Sequence, residues 1–137
     1  MTRTTVPDSC AIVALLTDDG CTGDWVAASI AGTTLAAPAL ARFEAANIPR
    51  RQQLRGDLEP VEATLAHSDL LALPLHLWPY EPLAEPAWEL RHNVTICDAA
   101  YLALAEPLEA SLVRLDGRLG RATGLRCRVI APPDNAD

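Results

Sequence analysis

The chain has no lysine; all eleven of its basic residues are arginine. That absence argues against the α/β phosphatases and phosphoryl acceptors that keep a lysine near a strand-end aspartate, and Asp8 also lacks a second aspartate two residues on. The four cysteines form no C-x-x-C pair, and His67, His76 and His92 stand far apart, so no zinc-ligand spacing exists. A chain of 137 residues needs no disulfide staples, which makes Cys10, Cys21, Cys97 and Cys127 free thiols, expected to be mostly buried. Aromatic residues make up only 4% of the chain, so Leu, Ala, Val and Ile must do most of the packing. No apolar run reaches the roughly 18 residues that cross a membrane. The opening MTRTTVPDSC lacks the apolar segment of a signal peptide, and a soluble, cytoplasmic protein is expected. A net charge of −7 argues against a general nucleic-acid coating protein. It leaves room for a nuclease, whose site acids enter that sum and whose bound cations reverse their local effect.

What is present is the pattern of an α/β protein, with short apolar strands alternating with helical segments. TTVPD reads as a strand ending at Asp8 and SCAIVALL as the helix after it. Helices are expected over Thr22–Ala31, from about Ala39 into IPRRQQLRG, over about Glu59–Asp69, over about Pro82–His92 and over about Ile96–Glu106. TTLAAP is a short strand or link stopped by Pro38, and LPLHLWPY a second good strand. SLVRLDGR is a strand ending near Asp116, followed by a short helix through Ala122, and CRVIAPP closes the sheet. One domain over 1–137 is expected, with about 132–137 a loose tail.

Four acids could carry chemistry. Asp8 stands at the carboxyl end of the first strand, where open α/β sheets bind ligands, yet an aspartate before a helix also serves as its N-cap. Asp116 repeats the arrangement, and a cap or turn is again the alternative. Glu44 shares a helical stripe with the apolar Leu40 and Ile48, where a carboxylate is costly unless paired, hydrogen-bonded or metal-bound. Arg50 or Arg51 folding back onto it is the structural alternative. Asp98 shares a stripe with Tyr101, Leu102 and Ala105, and Thr95 before it makes a capping-box-like pair. Crowded carboxylates raise one another's pKa unless a cation neutralises them, and Mg²⁺ or Mn²⁺ suits an all-oxygen site that activates water against a phosphodiester.

Motif order and spacing resemble the PIN-domain ribonucleases, and within them the VapC toxins of type II toxin–antitoxin systems. The likeness is carried by VPDSCAIVALL from Val6, FEAANIPRR from Phe43, WELRHNVTICDAAYLALAE from Trp88 and LVRLDGRL from Leu112. It implies a Rossmann-like PIN fold with a central parallel sheet of about 4–5 strands flanked by helices. It also implies an acidic Mg²⁺ or Mn²⁺ site of Asp8, Glu44, Asp98 and Asp116. The implied activity is RNA cleavage leaving 5′-phosphate and 3′-hydroxyl ends, by a homodimer neutralised by a VapB-type antitoxin. The alternative is a PIN-fold antitoxin-binding module with weak or no nuclease activity. Cys10 departs from the Ser or Thr usual two residues after the first acid, and Cys97 from the tyrosine often found before the third. Pro7, Pro49 and Pro86 fall inside predicted elements, and Pro49 is expected to end or bend the Glu44 helix. Arg50, Arg51, Arg55, Arg114, Arg118 and Arg121 are candidate phosphate contacts or simply a solvated face. Asn47 is a candidate for holding the site, and Trp25, Trp78 and Trp88 read as core or interface residues.

Overall fold

The structure, a computed structural model, describes residues 2–116 and 127–133. Its strands are β1 (Thr4–Pro7), β2 (Thr34–Pro38), β3 (Leu75–Trp78), β4 (Ser111–Val113) and β5 (Val129–Ile130). Its helices are α1 (Ser9–Thr17), α2 (Cys21–Ile30), α3 (Leu40–Leu54), α4 (Pro60–Ala72), α5 (Ala84–Glu89) and α6 (Ile96–Ala105). All five strands are parallel, in the order β3-β2-β1-β4-β5. Parallel neighbours require crossover helices, which cover the sheet and make its strands apolar on both faces. Val6, Leu112 and Val113 accordingly have no exposed surface.

The chain builds outward from β1 to β3, then returns to add β4 on the other side of β1. The reversal leaves a crevice between the carboxyl ends of β1 and β4, where such sheets bind ligands. The core is aliphatic, as the composition requires. One cluster joins Val6, Ile12, Ala45, Leu70, Leu104 and Leu112, and a smaller one joins Ala11, Val26 and Val113 beneath α1 and α2. Gly23 sets the spacing of that helix pair, because a Cβ there would run into the carbonyl of Asp18.

The prolines that interrupt the sequence pattern are accommodated. Pro7 and Pro38 each end a strand, and the next residue resumes the ladder: Asp8 N–H donates to Val113 at 3.0 Å and Ala39 N–H to Trp78 at 2.8 Å. Pro49 does not end its helix; α3 runs on to Leu54 with Pro49 buried inside it. Packing against α4 holds the turn that loses a donor. Pro86 sits in the first turn of α5, where no intrahelical donor is needed. The helix expected over Pro82–His92 is shorter, a 3₁₀ turn over Glu81–Leu83 followed by α5. The helix expected through Ala122 and the end of the tail fall outside the described residues. The thiols correct the burial expectation: Cys10, Cys21 and Cys97 are exposed and Cys127 is half-buried. Cys10, Cys21 and Cys97 occupy first turns of helices, where side chains project beyond the packed layer. Among the described residues, no helix is long and apolar enough to cross a membrane.

Candidate active site

Asp8 leaves β1 and begins α1, and its two oxygens have separate work. Oδ1 accepts the Ala11 N–H at 2.9 Å, capping α1. Oδ2 lies 3.1 Å from Nε of Arg114. The cap and the site are thus made by one residue. Asp8 is only 6% exposed, and burial pushes its carboxyl above the ordinary aspartate value. The Ala11 N–H and Arg114 pull it down, while the charges of Asp98 and Glu44 add to the rise.

Arg114 follows β4, and β1–β4 register sets Pro7 opposite Val113. The first residue past each strand therefore meets the other across the crevice. Nη1 of Arg114 donates to Asp98 Oδ1 at 3.1 Å, so one guanidinium bridges two acids. Nε, although close to Asp8, has no hydrogen bond of good geometry and is buried. Its hold on Asp8 is one of charge more than of direction.

Asp98 enters in the first turn of α6, whose N-cap Thr95 accepts the Asp98 N–H at 3.1 Å. Its carboxylate is turned to Arg114. One turn along the same helix, the Tyr101 hydroxyl donates to Oε1 of Glu44 at 2.7 Å. Tyr101 is 3% exposed, and burial together with the Glu44 contact holds its proton far above the usual phenol range. Glu44 projects from α3 between the partly buried Leu40 and Ile48, as the stripe requires. Its partner is a tyrosine rather than Arg50 or Arg51. Arg50 approaches Asn47 at 3.5 Å, and both are exposed.

Three of the four acids thus meet around the β1–β4 crevice. Asp116 does not end a strand: β4 stops at Val113, and Asp116 is half-buried beyond it with a polar interaction of its own. The donor set is all carboxylate oxygen, which fits a hard divalent cation in preference to zinc. A guanidinium already stands in for such a cation, between Asp8 and Asp98. As the side chains lie, no group of three or more acidic, histidine or cysteine residues among those described is gathered closely enough to hold an ion. Cys10 is near the acids too, and partial burial of its sulfur with the Asp8 charge pushes its thiol up, away from thiolate. Sequence reasoning passed over two participants. The sequence shows Tyr101 only as a neighbour on the Asp98 stripe and Arg114 only as one candidate phosphate contact among six.

An acidic crevice at the switch point of a five-stranded parallel sheet defines a PIN domain, and the family pattern described as PIN domain matches residues 5–125. The chain belongs to the PIN domain family. Among its relatives is Ribonuclease VapC12 of Mycobacterium tuberculosis, 35% identical over 74% of this chain and 79% of that protein. Ribonuclease VapC1 of the same organism is 34% identical over 90% of this chain and 94% of that protein. The crystal structure of VapBC2 from Rickettsia felis bound to a DNA fragment from their promoter contains a chain of the same fold. It matches with a TM-score of 0.60 at 12% identity, over 92% of this chain and 98% of that one.

Proposed function

We propose that this chain is a VapC-type ribonuclease toxin, a single catalytic domain that cleaves RNA with a Mg²⁺ or Mn²⁺ ion held by Asp8, Glu44, Asp98 and Asp116. The observation that carries the reading is the meeting of Asp8 and Asp98 on one guanidinium at the switch-point crevice, with the Glu44 charge near enough to act on Asp8. A buried carboxylate beside two others needs a counter-cation, and this chain has no lysine to give. When bound, the ion supplies activation of water and charge neutralisation at the phosphodiester. Asp8, fixed by its cap, is the rigid ligand. Tyr101 occupies Oε1 of Glu44 and leaves Oε2 to take a proton or a ligand. The relatives named as ribonucleases support the activity.

The partner we assign is a VapB-type antitoxin, with a homodimer as the working unit. Exposed apolar side chains suited to such contacts lie on α3 and α4, at Phe43, Leu54, Val61 and Leu65, and on α5 at Trp88. The large apolar groups of α1 and α2 pack inward, so the face we assign to the partner is that of α3 and α4. Arg114 favours a second reading, a binding module with little nuclease activity, because it already satisfies two of the acids. Incubating the free protein with RNA, with Mn²⁺ or with a chelator, separates the two. Metal-dependent cleavage lost in Asp98→Asn supports the enzyme, and no cleavage at any metal concentration leaves the module.

A further inference from the structure

We propose that Arg114 is the resident counter-cation of the Asp8–Asp98 pair and must leave it for a divalent ion to bind, so that Arg114 sets the metal affinity of the site. The inference rests on the metal-site reading above and adds to it a residue that the four acids do not include. Its basis is position. Nε and Nη1 each lie 3.1 Å from an oxygen of a different acid, so the guanidinium fills the space between them. An ion shared by those carboxylates needs oxygens at about 2.0–2.1 Å for Mg²⁺, which the interposed group denies. As the side chains lie, no acid cluster among the described residues is ready to hold an ion.

The contact is also built to be exchanged. Nε is buried yet makes no well-directed hydrogen bond, so part of its desolvation goes uncompensated. The backbone of Arg114 is pinned by its N–H to the Ile130 carbonyl at 2.9 Å. Movement of the guanidinium therefore needs only rotation of its own stem, with β4 unchanged. Charge points the same way: Asp8 and Asp98 carry −2 together when ionised, which one divalent ion matches and one guanidinium only half offsets. The arginine thus keeps the metal-free crevice from flying apart while holding its affinity down.

The test compares wild type with Arg114→Met, which keeps an apolar stem and removes the charge. Mn²⁺ binding is followed by calorimetry, and thermal unfolding is followed with chelator and with Mn²⁺. Arg114→Met should bind Mn²⁺ about tenfold more tightly, melt lower in chelator, and gain more from the ion than wild type does. Equal or weaker Mn²⁺ binding by a folded variant overturns the role of Arg114 while leaving the metal site standing. Failure of both proteins to bind Mn²⁺ overturns the metal reading itself and this inference with it. If the variant does not fold, the Arg114 Nε–H resonance of the wild-type protein is followed during a Mg²⁺ titration. It should shift with the same midpoint as the Asp8 amide, and a static Arg114 signal beside a shifting Asp8 amide overturns the proposal.

Discussion

On one side of the crevice Asp8 and Asp98 share a charged partner, and on the other Glu44 takes a neutral one. Arg114 and Tyr101 both satisfy carboxylates at hydrogen-bonding distance, but they differ in what can replace them. A guanidinium offers charge, and any other cation competes for its place. A buried phenol offers one directed hydrogen bond and no charge, so it holds one oxygen of Glu44 without competing as a cation. The Asp8–Asp98 side is therefore the exchangeable half of the site and the Glu44–Tyr101 side its fixed half. Both partners of the fixed half come from helix interiors, α3 and α6, whereas the exchangeable half sits where β1, β4 and α6 end or begin.

The largest effect should come from removing the acids. Asp98→Asn and Glu44→Gln should each lower RNA cleavage by more than about 100-fold, the upper end of what a merely supporting partner costs. Circular dichroism should show both folded, and if both unfold while wild type does not, the acids are structural on either side of the crevice. The fixed half is probed by Tyr101→Phe. It should cost about 1–2 kcal/mol in denaturant unfolding, since a hydrogen bond to a charged acceptor is lost with the ring kept. Cleavage should fall about 10-fold through loss of Glu44 orientation, with Mn²⁺ affinity changing less. A Tyr101→Phe protein of unchanged stability and rate would erase the contrast between the halves.

Asp8 supplies a pH test of the exchangeable half. Its folded carboxyl titrates above the ordinary aspartate value of 3.8, so the folded state binds the proton more tightly than the unfolded chain does. Between the two values stability falls as pH rises, and above both the Asp8 charge is a standing cost to the metal-free protein. Asp8→Asn, which retains a side-chain cap, should remove that slope and raise the metal-free melting temperature at neutral pH. A melting temperature that drops instead would mean that the Arg114 pair outweighs burial. The smallest effect belongs to α3. Pro49→Ala should restore a donor to the Ala45 carbonyl, one residue from Glu44, and stabilise by about 1 kcal/mol after the lost ring burial offsets much of the proline penalty. No change in melting would show that packing against α4 already offsets the missing bond.

Much of this was readable in the residues. Strand, helix and acid order followed from period and caps, and Glu44 betrayed itself by standing between Leu40 and Ile48. Asp8 looks like a cap and is one, while Asp98 stands three residues after the cap Thr95; what each does with its remaining carboxylate oxygens is settled by a distant part of the chain. Arg114 illustrates the limit. Its sequence neighbours place it inside a strand running to near Asp116, whereas β4 stops at Val113, and its partner is chosen by the register of Pro7 against Val113, a pairing no local pattern encodes. The end of β4 before Asp116, the continuation of α3 through Pro49 and the exposure of Cys10 and Cys97 were hidden similarly. Each depends on which surfaces α1, α4 and α6 cover, and packing overrides propensity there.

Parallel pairing of β1 with β4 joins Thr5 to Ser111, so the centre of the sheet closes only after most of the chain has been made. Contacts of such sequence separation form late, because loop-closure entropy must be met before they contribute. A nascent chain that has passed Tyr101 but not reached residue 111 holds Asp8, Glu44, Asp98 and Tyr101 but has neither β4 nor Arg114. Synthesis from the N-terminus thus delays closure of the Asp8–Asp98 crevice until β4 has been made. For a protein proposed to cut RNA, the strand order means that the crevice gains its second wall only when β4 is laid beside β1.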